Sequence, residues 1–183
     1  MHLESERLIL RDFDSSDGNE LFEYLSDPDV VRYEPYETYT LVEAINEAAS
    51  RENNKAFIAI CLKESGKLIG NLYYSKTEPD YIDTYEIGYV FNREFQGKGY
   101  ATEAVKRLLD HIFSNLKAHR VVAFCNPENT PSWNLLERLG FRREAERIDN
   151  MFFKRDAKGN PLWFNSYQYA LLANEYFRIK SSG

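Results

Sequence analysis

The stretch "NREFQGKGYATEA", residues 92–104, decides how the rest of the chain is read. It follows "TYEIGYVF", residues 84–91, whose aromatic and β-branched residues predict a strand. It runs into "YATEAVKRLLDHIFSNL", residues 100–116, where Ala101, Ala104, Val105, Leu108, Leu109, Ile112 and Phe113 recur at helical spacing. So a strand ends, two glycines flank a lysine, and a helix starts. The first turn of a helix leaves backbone N–H groups without intrahelical partners, and the helix dipole adds partial positive charge there. Glycine removes the side chain that would keep a ligand off those amides. Gln96, Gly97, Lys98, Gly99, Tyr100, Ala101 and Thr102 thus have the makings of a phosphate cradle. A lone Gly-x-Gly is equally a plain turn at a helix entrance, so the surroundings must decide. Two familiar phosphate loops do not fit. Lys98 is followed by Gly99 rather than Ser or Thr, and Thr102 stands where the dinucleotide fingerprint has its third glycine.

Before this stretch, "RLILRDF" (7–13) alternates like a short strand, and "DSSDGNELFEYLSD" (14–27) predicts a capped helix. "TLVEAINEAASREN" (40–53) predicts a second helix. "AFIAICL" (56–62) and "KLIGNLYYS" (67–75) form a strand pair turning at Gly66. After it, "RVVAFCN" (120–126) reads as a strand buried on both faces. "NTPSWNLLERLGF" (129–141) reads as a compact helix with Pro131 in its first turn and Gly140 as its stop. "REAERIDNMFFK" (143–154) and "PLWFNSYQYALL" (161–172) close the chain as two strands. No repeat, low-complexity tract or linker interrupts residues 1–183, so the expectation is a single α+β domain. Its sheet would be mixed and mostly antiparallel, with about seven strands flanked by about four helices.

Composition narrows the function. A net charge of −6 argues against a direct nucleic-acid binder, which needs a concentrated basic face, and suits a basic partner or an amine. Cys61 and Cys125 lie in apolar runs and read as buried free thiols. His2, His111 and His119 form no metal-spaced set with them, so no metal site is expected. No apolar stretch is long enough to cross a membrane, and a cytoplasmic location is the default expectation. Monomer and homodimer both remain open.

Gln96-x-x-Gly99-x-Ala101 resembles the acyl-CoA pyrophosphate loop of the GNAT N-acetyltransferases. The "EIGYVF" strand before it, the long helix after it and "NPENTPSWNLLERLGF" further on resemble the same superfamily. The opening "LESERLILRDF" and closing "SYQYALL" are similar to the branch containing the ribosomal-protein N-terminal acetyltransferases. The resemblance covers roughly residues 3–175. It implies a GNAT-like fold and transfer of acetyl from acetyl-CoA to an amine. The acceptor it implies is a protein N-terminal α-amine, with the N-terminus of a basic ribosomal protein as the partner; a polyamine or other small amine is the alternative, and so is an idle CoA-binding module. The N–H groups of Gly97, Lys98, Gly99, Tyr100, Ala101 and Thr102 would hold the pyrophosphate. Tyr89, Val90 and Phe91 would offer backbone to the pantetheine where the strand splays from residues 121–126. Asn129 matches the asparagine that contacts the cofactor arm, although it could equally cap the helix.

Acetyl transfer needs a neutral amine and a proton source for the departing thiolate, and direct attack needs no cysteine nucleophile. Glu86 is the candidate base. It shares a strand face with Gly88 and Val90, and a carboxylate in so apolar a strand is costly unless it is paired or used. The family's usual tyrosine acid is replaced by Leu136, and the resemblance puts Ser132 forward as substitute; a first-turn backbone contact is its ordinary role. Residues 33–54 and 151–166 would wall the acceptor site, where Glu34, Glu37, Glu43 and Glu47 favour a cationic amine.

Overall fold

The structure, a computed structural model, describes residues 1–182. The chain divides into two compact units. The first comprises Met1–Arg32, Glu37–Ser75 and Gly88–Asp110; the second comprises Tyr33–Tyr36, Lys76–Ile87 and His111 onward.

In the first unit, β1 (His2–Glu4), β2 (Leu8–Asp12), β3 (Phe57–Leu62) and β4 (Leu68–Lys76) pair successively as antiparallel neighbours. Two helices, α1 (Gly18–Leu25) and α2 (Leu41–Glu52), connect β2 to β3. The start of α2 is fixed by a capping box in which Thr40 accepts from the Glu43 N–H and the Glu43 carboxylate accepts from the Thr40 N–H. Arg51, only 2% exposed, lies between the rings of Phe13 and Phe57 and pairs with Glu47 at 2.7 Å. β4 meets the end of β5 (Thr84–Phe91) closely at Gly70, where a Cβ would stand 2.5 Å from the Val90 carbonyl oxygen. No other residue type fits that approach.

In the second unit, the first half of β5 runs parallel to β6 (Arg120–Cys125), with Thr84 opposite Arg120 and Ile87 opposite Ala123. β6 is antiparallel to β8 (Phe164–Leu172), which in turn pairs with β7 (Arg142–Met151). α4 (Thr130–Arg138) and α5 (Ala173–Ser182) complete it. The strand order is β1-β2-β3-β4-β5-β6-β8-β7, one mixed sheet in which β5 and β6 run parallel. α3 (Tyr100–Ser114) buries Ala104, Val105, Leu108, Leu109, Ile112 and Phe113, as the periodicity predicts, while Ala101 at its first turn is only half-buried. Each large member of that stripe contributes about 1.5–3 kcal/mol by leaving water.

Among the described residues there are eight strands and five α-helices, one of each more than expected. β1 is three residues long, too short to show alternation. α5 follows β8 without a glycine or proline between them, and its start is set by a contact: Glu175 accepts the N–H of Leu172 at 2.9 Å. Tyr176 then stacks on Phe113 at 4.9 Å. Among the described residues no helix is long and apolar enough to cross a membrane.

Candidate active site

In the first unit, the loop between β5 and α3 has the open backbone its glycines predict. Gly97 and Gly99 take φ of 72° and 84°, the left-handed region that glycine enters without strain. The first helical bond of α3 runs from the Glu103 N–H to the Gly99 carbonyl at 3.0 Å. Ahead of it, the consecutive N–H groups of Gly97, Lys98, Gly99, Tyr100, Ala101 and Thr102 donate to no protein acceptor among the described residues. Such a row of unspent amides at a helix N-terminus is an anion cradle. Gln96 stands outside it. Its backbone N–H goes to the Arg93 carbonyl at 3.2 Å, and its side-chain amide donates to the Phe91 carbonyl at 3.0 Å. That side chain fastens the loop to the end of β5. Lys98 projects outward, with its ammonium 5.2 Å from the Phe95 ring centre. Tyr89 is half-buried, and Val90 and Phe91 are buried.

A brace that the sequence does not announce holds this loop. The Arg7 guanidinium donates to the Lys98 carbonyl at 3.1 Å, stacks 4.4 Å from the Tyr100 ring centre and bonds Glu103 Oε2 at 2.7 Å. Glu103 also accepts from the Arg7 backbone N–H and the Ser5 hydroxyl, both at 2.7 Å. Burial alone would raise the Glu103 carboxyl; those donors outweigh it and hold it below its usual range. The contacts join residues more than ninety positions apart, so no local pattern could reveal them. Arg7→Met keeps the packing on Tyr100 and removes the bonds. It is expected to raise about tenfold the Kd of an anion held on these amides, with pyrophosphate as the probe, through loss of loop order, read by calorimetry; an unchanged Kd would take Arg7 out of the loop's support.

In the second unit, an open groove of about 570 Å³ is lined by residues that include Glu86, Val122, Phe124, Arg147 and Gln168. Glu86 stands directly opposite Val122 in the parallel register. Its carboxylate makes no hydrogen bond or ion pair among the described residues, and burial pushes its pKa up. The salt-bridged role a strand glutamate usually has is therefore not what Glu86 does here. A half-buried, unpaired carboxylate in a groove is chemically a base looking for a proton.

Asn129 stands at the N-cap of α4, yet its side chain makes no capping bond. The turn before the helix is instead held by Asn126, whose Oδ1 accepts the Glu128 N–H at 2.8 Å. Ser132 donates its N–H to the Asn129 carbonyl at 3.0 Å, and its hydroxyl contacts the Cys125 thiol. Burial pushes Cys125 up to about 11, with the Ser132 contact opposing it; burial likewise pushes Cys61 up to about 11. Both thiols are buried and neutral at physiological pH, which makes them poor nucleophiles. Leu136 is wholly buried core. Two carboxylates of the expected acceptor wall have local partners: Glu43 caps α2 and keeps its charge, its carboxyl held below the usual range by the Thr40 donors, while the charge of Glu47 is offset by Arg51.

Comparison with known proteins gives this geometry a context. Residues 7–142 match the acetyltransferase (GNAT) domain family. Over 180 residues the chain is 36% identical to the N-acetyltransferase YnaD of Bacillus subtilis (strain 168), covering 96% of this chain and 99% of that one. A crystal structure of a GNAT-family acetyltransferase from Bacillus anthracis superposes with a TM-score of 0.86 at 35% identity, covering 96% of this chain and 100% of that one. A spermidine N-acetyltransferase from Vibrio cholerae, crystallised with CoA and spermine, shares the fold at a TM-score of 0.76 and 21% identity, covering 94% and 99%.

Proposed function

The chain belongs to the GNAT family of acetyltransferases, and from that premise we propose that it transfers acetyl from acetyl-CoA to the N-terminal α-amine of a polypeptide. The observation that carries the cofactor reading is the row of six unspent N–H groups from Gly97 to Thr102. They offer a pyrophosphate's anionic oxygens a row of donors at the partly positive end of a helix. Acetyl-CoA supplies the acetyl group as a thioester. Backbone of Tyr89, Val90 and Phe91 lines the pantetheine, and the uncommitted carboxamide of Asn129 serves the cofactor arm. Both units together make up one catalytic domain, a reading supported by a family match that draws on residues of each.

Glu86 takes the proton from the ammonium form of the acceptor, leaving a neutral amine able to attack the acyl carbon. Its raised pKa brings it closer to neutrality, where a general base works best. Attack is direct, since neither buried thiol is suited to carry an acyl group. Ser132 supplies the proton to the departing thiolate, and its hydroxyl already engages one sulfur in this structure, that of Cys125. The branch resemblance makes ribosomal proteins the first acceptors to try. A polyamine is the second reading, favoured by the shared fold of the spermidine enzyme.

Thiol release from acetyl-CoA in the presence of N-terminal peptides and of spermidine, followed by mass spectrometry of the products, tests this. The expected result is acetyl on the peptide α-amine. Acetylation of spermidine with all peptides untouched would replace the first reading by the second.

A further inference from the structure

We propose that the acceptor carries an anionic group close to its amine, an acidic side chain at the first or second residue, and that Arg147 reads it. The inference rests on the reading of the groove beside Glu86 as the place where the amine is received. That groove holds two guanidinium groups, and they differ in state. Arg120 is closed by Glu144, whose two carboxylate oxygens take both of its terminal nitrogens. Arg147 has no carboxylate partner among the described residues. Its Nη2 donates to the neutral Oε1 of Gln168, and its guanidinium lies 5.1 Å from the centre of the Phe124 ring. An aromatic face and a neutral acceptor orient the guanidinium without discharging it, which leaves a cation fixed in place with donors to spare.

The register sets the spacing. Glu86 is opposite Val122 on β6, Phe124 is two residues further along the same strand, and Gln168 is opposite Phe124 on β8. One strand spacing of about 4.8 Å across and two residues, about 6.6 Å, along put the Phe124 position about 8 Å from that of Glu86. The Arg147 guanidinium, held over Phe124, thus lies within one or two residues' reach of the Glu86 position. A carboxylate on the first or second residue of a peptide meets that span. A polyamine would present its second ammonium to the Arg147 guanidinium, which the same geometry disfavours.

The test uses matched, C-terminally amidated tetrapeptides that differ by one group: Asp against Asn, and Glu against Gln, at the first or second position, with Lys as the opposite charge. In the wild-type enzyme the acidic member of a pair is expected to have about tenfold higher kcat/KM, carried by KM. That advantage should shrink as salt is added, because Arg147 is open to solvent. In Arg147→Gln the ratio within each pair is expected to fall to about one; in Arg147→Lys, which keeps the charge and loses the planar fork, it should be intermediate. A wild-type ratio near one, a preference for the Lys peptide, or a ratio unchanged in Arg147→Gln overturns the proposal. If no peptide of the set is acetylated while acetyl-CoA still raises the melting temperature, the acceptor reading has failed, and the assignment to Arg147 fails with it.

Discussion

Glu86→Gln is expected to lower kcat by about two to four orders of magnitude at neutral pH, with the acetyl-CoA Kd little changed. The substitution keeps the size of the side chain and removes the half-buried carboxylate proposed to accept a proton from the amine. Raising the pH should recover part of the loss, since more of the acceptor is then already neutral. In the wild-type enzyme, kcat/KM should climb with pH through the raised Glu86 value, and this limb should be absent from the variant. Stability should move the other way. Burial raises the folded-state pKa of Glu86 above its ordinary 4.5, so the carboxyl holds its proton more firmly in the folded chain than in the unfolded one. Its contribution to stability is complete below the unfolded value and is lost as pH rises through the folded one. Glu86→Gln should therefore melt no lower than wild type at neutral pH, with the difference closing in acid. A variant that turns over normally, or one that melts lower at neutral pH, would make Glu86 a structural residue.

That cost of holding a carboxylate in an apolar strand is what made Glu86 visible in the sequence. The same logic made the loop legible: glycines placed between a strand and a strongly periodic helix leave few structural alternatives, and φ at Gly97 and Gly99 shows why those two positions are glycine. Longer-range features were hidden for a physical reason. Arg7 supports the loop from the far end of the chain, so its neighbours say nothing about its role. Arg147 reads as one more charge on a polar strand until its side-chain contacts place it beside Phe124 and Gln168. The acceptor wall is a different case, because the local partners of its carboxylates were readable. Thr40-x-x-Glu43 is a capping-box pattern present in the sequence, and it assigns Glu43 to the helix start before any ligand is considered. Glu47 and Arg51 are likewise four residues apart on α2, the spacing of a helical ion pair. Assigning local partners first leaves Glu43 a charged cap and shows that only the charge of Glu47 is offset by a neighbour. β1 and α5 escaped because their boundaries are set by pairing and by one side-chain contact, which composition does not encode.

The proposed pyrophosphate site can be tested by placing a charge on the loop. Gly97→Asp is expected to weaken acetyl-CoA binding about a hundredfold at low salt, whereas Gly97→Asn should cost only a few-fold. A side chain at this position has room, since nothing lies within 4 Å of where the Cβ would be. Its cost is therefore conformational, arising from φ of 72°, and Asp and Asn are the side chains that tolerate the left-handed region best. The pair thus carries the same backbone strain and nearly the same shape, and differs in charge. A carboxylate about 5 Å from one phosphate charge opposes binding by about 3 kcal/mol at an effective dielectric constant of about 20, which corresponds to the hundredfold loss. Because the loop is open to solvent, added salt should narrow the gap between the two variants. Isothermal titration with acetyl-CoA across a range of ionic strength measures all of this. Equal weakening by Asp and Asn would assign the effect to backbone strain alone, and undiminished affinity in Gly97→Asp would mean that the pyrophosphate lies elsewhere than on the amides of this loop.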